Sequence, residues 1–204
     1  NYYAVKVINL TNNKTNLCQE EYKNLSLLNE VLGGVYRTSP SKNCSQYNFI
    51  MKLAPGTDLF NLLAQSEDNR NFTLLHRFNL AIQLLKVTQE RHKKGFLHGD
   101  IKPENFIYDI VSRSLKLIDM QFMMPYPKTG FTESRVRFGT PAYMAPELLK
   151  EKPFLYNEKT EVYALGVCLA ELFELFNIDK NELFSDKWEQ YLKNRCIKDK
   201  NIHL

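Results

Sequence analysis

Apolar positions along this chain switch between a two-residue and a 3.6-residue rhythm, and each switch marks an expected element. Tyr2 to Ile8 alternates and is rich in β-branched and aromatic residues, so it reads as a strand carrying Lys6. After an Asn/Thr-rich turn over 10–16, Glu20 to Leu32 brings Leu25, Leu28 and Leu32 round at helical spacing, with Gly33-Gly34 as its stop. Tyr47 to Leu53 is a short apolar strand broken by Ala54-Pro55-Gly56-Thr57-Asp58, and Leu59 to Gln65 resumes as a helix. Thr73 predicts the N-cap of a long helix to about Lys94, with Leu74, Phe78, Ile82 and Leu85 as one apolar stripe. Phe106 to Asp109 and Leu115 to Ile118 are two short strands, the second delivering Asp119 at its end. The stretch 120–140 has Pro125, Pro127, Gly130 and Gly139 and no sustained period, and long irregular segments in compact domains are usually functional or disordered. Ala145-Pro146-Glu147 opens a short helix, while Glu161 to Phe176, apolar on nearly every face, predicts a buried core helix. The charged tail 179–204 reads as loosely helical, anchored by Trp188, Tyr191 and Leu192.

The chemistry concentrates between the long helix and the paired strands, in Leu97-His98-Gly99-Asp100-Ile101-Lys102-Pro103-Glu104-Asn105-Phe106. Pro103 forbids a continuous helix, so Asp100, Lys102 and Asn105 sit on a loop that can aim them at one point. A carboxylate accepts a hydroxyl proton, an amide oxygen ligates a hard cation, and an ammonium neutralises phosphate. Together those jobs describe phosphoryl transfer. Taken alone, the same loop also fits a polar surface turn whose Asp and Asn cap the backbone.

Composition narrows the class. At 204 residues, 44% hydrophobic and 25% charged, the chain suits one globular domain, or one small and one large lobe. The net charge of +4 is spread over interspersed acids and bases, so no nucleic-acid partner is expected. Cys18, Cys44, Cys168 and Cys196 show no close pairing, which points to free thiols and a cytoplasmic setting. No apolar run reaches membrane-spanning length. No signal peptide is visible, and the absent initiating Met leads us to expect further residues upstream. Asn-x-Ser/Thr triplets at Asn9, Asn13, Asn24, Asn43 and Asn71 read as coincidence in so Asn-rich a sequence. The Asn and Lys content is also compatible with an AT-rich genome, such as that of a pathogen whose effector works in host cytosol.

Five segments, in order over most of the sequence, resemble the eukaryotic-type protein kinases: Tyr3-Ala4-Val5-Lys6-Val7-Ile8, His98-Gly99-Asp100 through Asn105, Ile118-Asp119-Met120-Gln121, Gly139-Thr140-Pro141-Ala142-Tyr143-Met144-Ala145-Pro146-Glu147, and Val162-Tyr163-Ala164-Leu165-Gly166. The resemblance implies an α+β bilobal fold, with 1–53 as part of the small lobe and 54–204 as the large lobe. It implies Lys6 on the α- and β-phosphates of ATP, held by Glu21 or alternatively Glu20 on the first helix. Asn105 and Asp119 become Mg²⁺ ligands, Asp100 the base, and Lys102 the cation steadying the transferred group. Lys52, Leu53 and Ala54 become the hinge that bonds adenine, with Met51 guarding the pocket behind and Asp58 reaching the ribose. The Asp-x-Lys-Pro-Glu-Asn form and Thr140 resemble Ser/Thr kinases, so a protein substrate is implied.

The sequence departs from the family at three places. Gly99 replaces the arginine that ordinarily receives an activation-loop phosphate, so activity without loop phosphorylation, or an activating protein partner, is expected. Met120-Gln121 replaces Phe-Gly, which removes a residue free to take positive φ. Glu161 stands where the buried helix usually carries Asp, a longer carboxylate expected to do a similar anchoring job. The glycine-rich strand pair and the last large-lobe helices are not evident. Two alternatives stay open: a nucleotide-binding pseudokinase scaffold, and a small-molecule kinase of the aminoglycoside or choline type, which shares the His-Gly-Asp loop.

Overall fold

A computed structural model describes residues 3–10, 15–39, 44–66, 73–127, 130–150 and 152–173 of the chain. Its order begins β1 (Tyr3–Leu10), α1 (Thr15–Leu27), β2 (Val31–Ser39) and β3 (Cys44–Lys52). These strands form one antiparallel sheet in the order β1-β3-β2, with Lys6 opposite Phe49. Alternation along β1 leaves Tyr3, Val5 and Val7 exposed, while Ala4 and Lys6 line a cleft on the other side. Phe49 is wholly buried against Tyr22 of α1, the two rings 5.8 Å apart.

The first helix stops five residues before the expected Leu32. Asn29 takes φ +56°, its N–H reaches Ser26 O at 3.1 Å, and Glu30 N–H reaches Leu25 O at 3.0 Å. That is a Schellman cap built on Asn rather than Gly. Gly33-Gly34 is therefore no stop signal but part of β2. A Cβ on Gly34 would sit 2.8 Å from the Tyr22 ring and 2.9 Å from that of Tyr47, so glycine is there for close packing.

Beyond β3 the chain continues through β4 (Thr57–Asp58), α2 (Leu59–Ser66), α3 (Leu74–Lys93), β5 (Phe96–Leu97), β6 (Phe106–Asp109), β7 (Ser114–Leu117), β8 (Met124–Pro125), β9 (Thr132–Ser134), β10 (Phe154–Tyr156) and α4 (Glu158–Leu172). Thr73 caps α3 as expected, accepting the His76 N–H while His76 Nδ1 accepts that of Thr73. The buried face of α3 is not the predicted stripe: Leu74, Phe78, Ile82 and Leu85 are exposed, and Leu80, Ala81, Leu84, Thr88 and Arg91 are buried. Two polar members disguise the true face, and Arg91 tolerates burial because Glu30 lies 3.7 Å from its guanidinium. Asn157 caps α4 by accepting the Lys159 and Thr160 N–H groups, which starts the helix three residues before Glu161 and puts Glu161 in its buried first turn.

The main core joins Leu25 of α1 to Leu80 and Leu84 of α3, Phe106 and Leu117 of the β6–β7 hairpin, and Leu165 and Leu172 of α4. A second cluster, with Leu97, Met124, Met144, Leu148, Phe154 and Tyr156, seats 141–149 beneath the β9–β10 pair. Between these cores lies the loop 98–105. The anchors expected in the tail, Trp188, Tyr191 and Leu192, lie outside the described residues.

Candidate active site

Lys6 leaves the sheet on the inner side of β1 and meets two carboxylates. Its Nζ is 2.6 Å from Glu21 Oε1 and 2.8 Å from Asp119 Oδ1. Burial lowers the ammonium's pKa, but the facing carboxylates outweigh that and hold it above the ordinary lysine value. Glu21, the first of the two helix carboxylates that the resemblance implies, reaches Lys6. The three charges close one wall of a cleft of about 390 Å³, also lined by Ala4, Glu30, Met51, Lys52, Leu53, Ala54, Asn105, Lys116 and Ile118. That size falls within the roughly 300–1,000 Å³ typical of small-ligand pockets. Of the residues expected to bind the nucleotide, Asp58 is the exception. It stands outside that lining set, and its carboxylate accepts from the backbone and side chain of Asn61 at 2.9 and 2.6 Å, capping α2.

The loop 98–105 is bent by a single turn of 3₁₀ helix over Pro103–Asn105, and it buries Asp100 and Asn105. Asn105 donates through Nδ2 to Asp100 O at 2.7 Å, which leaves its Oδ1 for a cation. Lys102 Nζ lies 3.0 Å from Asp100 Oδ2 and donates to Thr140 Oγ1 at 2.9 Å, while that hydroxyl donates to Asp100 Oδ1 at 2.8 Å. Carboxylate, ammonium and hydroxyl thus form a closed ring, and each carboxylate oxygen keeps lone-pair capacity for another donor. The resemblance makes Thr140 a mark of substrate type, and its spacing from Asp100 gives no hint of a bridging role.

What holds the loop is Glu161. Its Oε1 accepts the backbone N–H groups of His98 and Gly99 at 2.6 and 2.7 Å, and its Oε2 lies 2.6 Å from His92 Nε2. His92 thus finds a structural partner in Glu161. His98 is fully buried, and burial holds its pKa below the ordinary value despite nearby Glu161. Its Nδ1 accepts from Asp100 N at 3.2 Å and its Nε2 lies 2.8 Å from Ile118 O. A neutral ring with its proton on Nε2 satisfies both contacts.

Asp119 follows the β6–β7 hairpin in a left-handed conformation, φ +67°. Met120 is wholly buried in the main core, and Met123 N–H returns to Met120 O at 3.2 Å, closing a tight turn. Gln121 is not among the positive-φ residues, so the turn does not need the glycine that Gln121 replaces. Gly99, by contrast, is required. It has φ +84°, and a Cβ there would lie 2.4 Å from Phe122 O and 3.0 Å from Phe122 Cβ. The backbone of Phe122 occupies the space into which an arginine side chain would leave the loop.

A sequence model described as "Protein kinase domain" matches residues 1–202. The chain belongs to the protein kinase family. Its bilobal α+β fold is that family's, with the β1–β3 sheet and α1 on one side of the cleft and the helical part on the other. Among curated relatives, a Dictyostelium discoideum protein named "Probable serine/threonine-protein kinase" is 33% identical over 83% of the chain and 18% of its own length. Human serine/threonine-protein kinase MRCK gamma is 34% identical over 60% of the chain and 8% of its own length. Human Rho-associated protein kinase 1 is 30% identical over 60% and 9% respectively. The chain spans less than a fifth of the length of these relatives. No helix among the described residues is long and apolar enough to cross a membrane.

Proposed function

We propose that this kinase domain transfers the γ-phosphoryl group of ATP to serine and threonine hydroxyls of protein substrates, in the cytoplasm. The observation that carries the reading is the convergence of Lys6, Glu21 and Asp119 on one wall of the cleft, with Asn105 beside them donating to Asp100 of the Asp100–Lys102–Thr140 ring. Lys6 neutralises the α- and β-phosphates, and Glu21 keeps its ammonium extended toward them. Leu53 and Ala54 offer backbone hydrogen bonds to adenine, with Met51 behind them. The oxygen donors Asp119 and Asn105 suit Mg²⁺, which when bound supplies charge neutralisation between phosphate groups. Asp100 accepts the proton of the incoming hydroxyl, and Lys102, already within 3.0 Å of that carboxylate, offsets the charge of the group in transit. Thr140 fixes both side chains relative to one another. Gly99 supports activity independent of loop phosphorylation, because Phe122 is seated without a phosphate–arginine pair.

The test is incubation with labelled ATP and Mg²⁺ over protein, small-molecule and no substrates, with Asp100→Ala as control. Label on serine or threonine of protein that disappears in Asp100→Ala is expected. Label confined to small molecules, or nucleotide binding without turnover, refutes the reading in favour of a small-molecule kinase or a scaffold.

A further inference from the structure

Asn24 lies one helical turn beyond Glu21 on α1 and is 6% exposed. Its Nδ2 donates to Met120 O at 3.0 Å and to Met123 O at 3.3 Å. The amide's two hydrogens thus span both ends of the tight turn that begins immediately after Asp119. Met120 O also accepts the Met123 N–H, so one side chain of α1 completes the turn's internal hydrogen bonding from outside. The opposite side of the same turn rests on Gly99 through Phe122. Asp119 is held in a left-handed conformation that only a few non-glycine residues adopt, so its carboxylate direction depends on the peptide that follows it. The next peptide, joined to it through the Met120 Cα, carries the carbonyl that Asn24 holds.

We propose that Asn24 is the positioning residue for Asp119, coupling the place of α1 to the direction of the metal-ligating carboxylate. The proposal rests on the reading of the cleft as a Mg²⁺–nucleotide site. Glu21 and Asn24 then act as a pair one turn apart. Glu21 reports the position of α1 to the phosphate-binding cation, and Asn24 reports it to the metal ligand. The triplet Asn24-Leu25-Ser26 reads as a glycosylation acceptor, but a buried asparagine donating twice to backbone carbonyls has no room for a glycan.

The experiment measures ADP affinity by calorimetry, with Mg²⁺ and with EDTA, for the wild type and for Asn24→Leu, Asp119→Asn and the double variant. Outer-shell partners of metal ligands typically contribute 10–100-fold to metal affinity. We expect Asn24→Leu to cut the Mg²⁺-dependent gain in ADP affinity about tenfold, at the low end of that range. Affinity in EDTA stays within about twofold, and the leucine adds nothing further on Asp119→Asn, the pattern of residues acting as one unit. Where the leucine variant does not fold, Asn24→Ala leaves room for water at the two carbonyls and carries the same expectation. Equal loss with and without Mg²⁺, or a full additive loss on Asp119→Asn, overturns the proposal alone. A wild type that binds no nucleotide overturns the reading of the cleft and the proposal with it.

Discussion

Replacing Gly99 with alanine isolates the contact between the catalytic loop and the segment after Asp119. The residue has φ +84°, and holding an L-residue in the left-handed region costs about 1–2 kcal/mol. Its new Cβ would stand 2.4 Å from Phe122 O and 3.1 Å from Phe122 C, both backbone atoms that cannot swing aside. Relief by backbone shift adds about 1–3 kcal/mol, the usual cost of overpacking. The sum, about 2–5 kcal/mol, is a large part of the roughly 5–15 kcal/mol that stabilises an ordinary domain. The structure supplies its own control. Gly95 has nearly the same φ, +87°, with nothing within 4 Å of the added atom. Gly95→Ala therefore carries the backbone cost without the collision. Urea unfolding of the two variants should place Gly99→Ala at least about 1 kcal/mol below Gly95→Ala, given overpacking costs of that order. Equal destabilisation would refute the docking of Phe122 on Gly99, and with it the structural ground for activity without a loop phosphate.

Two further outcomes follow from the same site. Thr140→Val removes the hydroxyl that joins Lys102 to Asp100 while keeping the side chain's shape; kcat should fall about 10–100-fold, as misplacement of reacting groups costs, with the KM for ATP within about twofold, and an unchanged kcat would rule out the bridging role. His98 sets a pH dependence, because burial holds its folded-state pKa below the unfolded value near 6.5. Below pH 6.5 the unfolded chain takes up a proton that the folded chain refuses, so stability falls as pH falls, with a slope of at most about 1.4 kcal/mol per pH unit. Thermal unfolding between pH 7.5 and 5.5, a window chosen around that roughly 6.5 reference pKa, should show a shallower slope for His98→Asn than for the wild type, and parallel slopes would refute the assignment.

The parts of the site legible in sequence are those whose chemistry is local. Asp100, Lys102 and Asn105 lie on one short loop, and Asp119 follows an apolar strand, so the short motifs that carry the resemblance contain them whole. Glu21 was legible through the resemblance, which asks for a carboxylate on the first helix beside Lys6. What stayed hidden is the bonding between groups far apart along the chain, even for Glu161, whose anchoring role the resemblance implies. Glu161 bonds loop atoms 62 and 63 residues away, and Asn24 reaches carbonyls 96 and 99 residues away. Those bonds run to backbone groups, which every residue carries, so no partner side chain in the sequence points to them. The α3 stripe failed for a different reason. Its helix has apolar residues on two faces, and the buried one includes Thr88 and Arg91, which hydrophobic spacing discounts. Arg91 becomes intelligible only once Glu30, brought in by the turn after α1, is beside it.

The left-handed backbone at Asp119 bears on how its role is to be dissected. Aspartate and asparagine adopt that conformation more readily than alanine, since a short polar side chain can bond locally to the backbone. An alanine there would remove the carboxylate and strain the chain at once, so lost activity could not be divided between chemistry and folding. Asparagine keeps the backbone preference and an oxygen in place while removing the charge that faces Lys6. The customary alanine is thus the less informative knock-out at this position, and the amide isolates the contribution of charge.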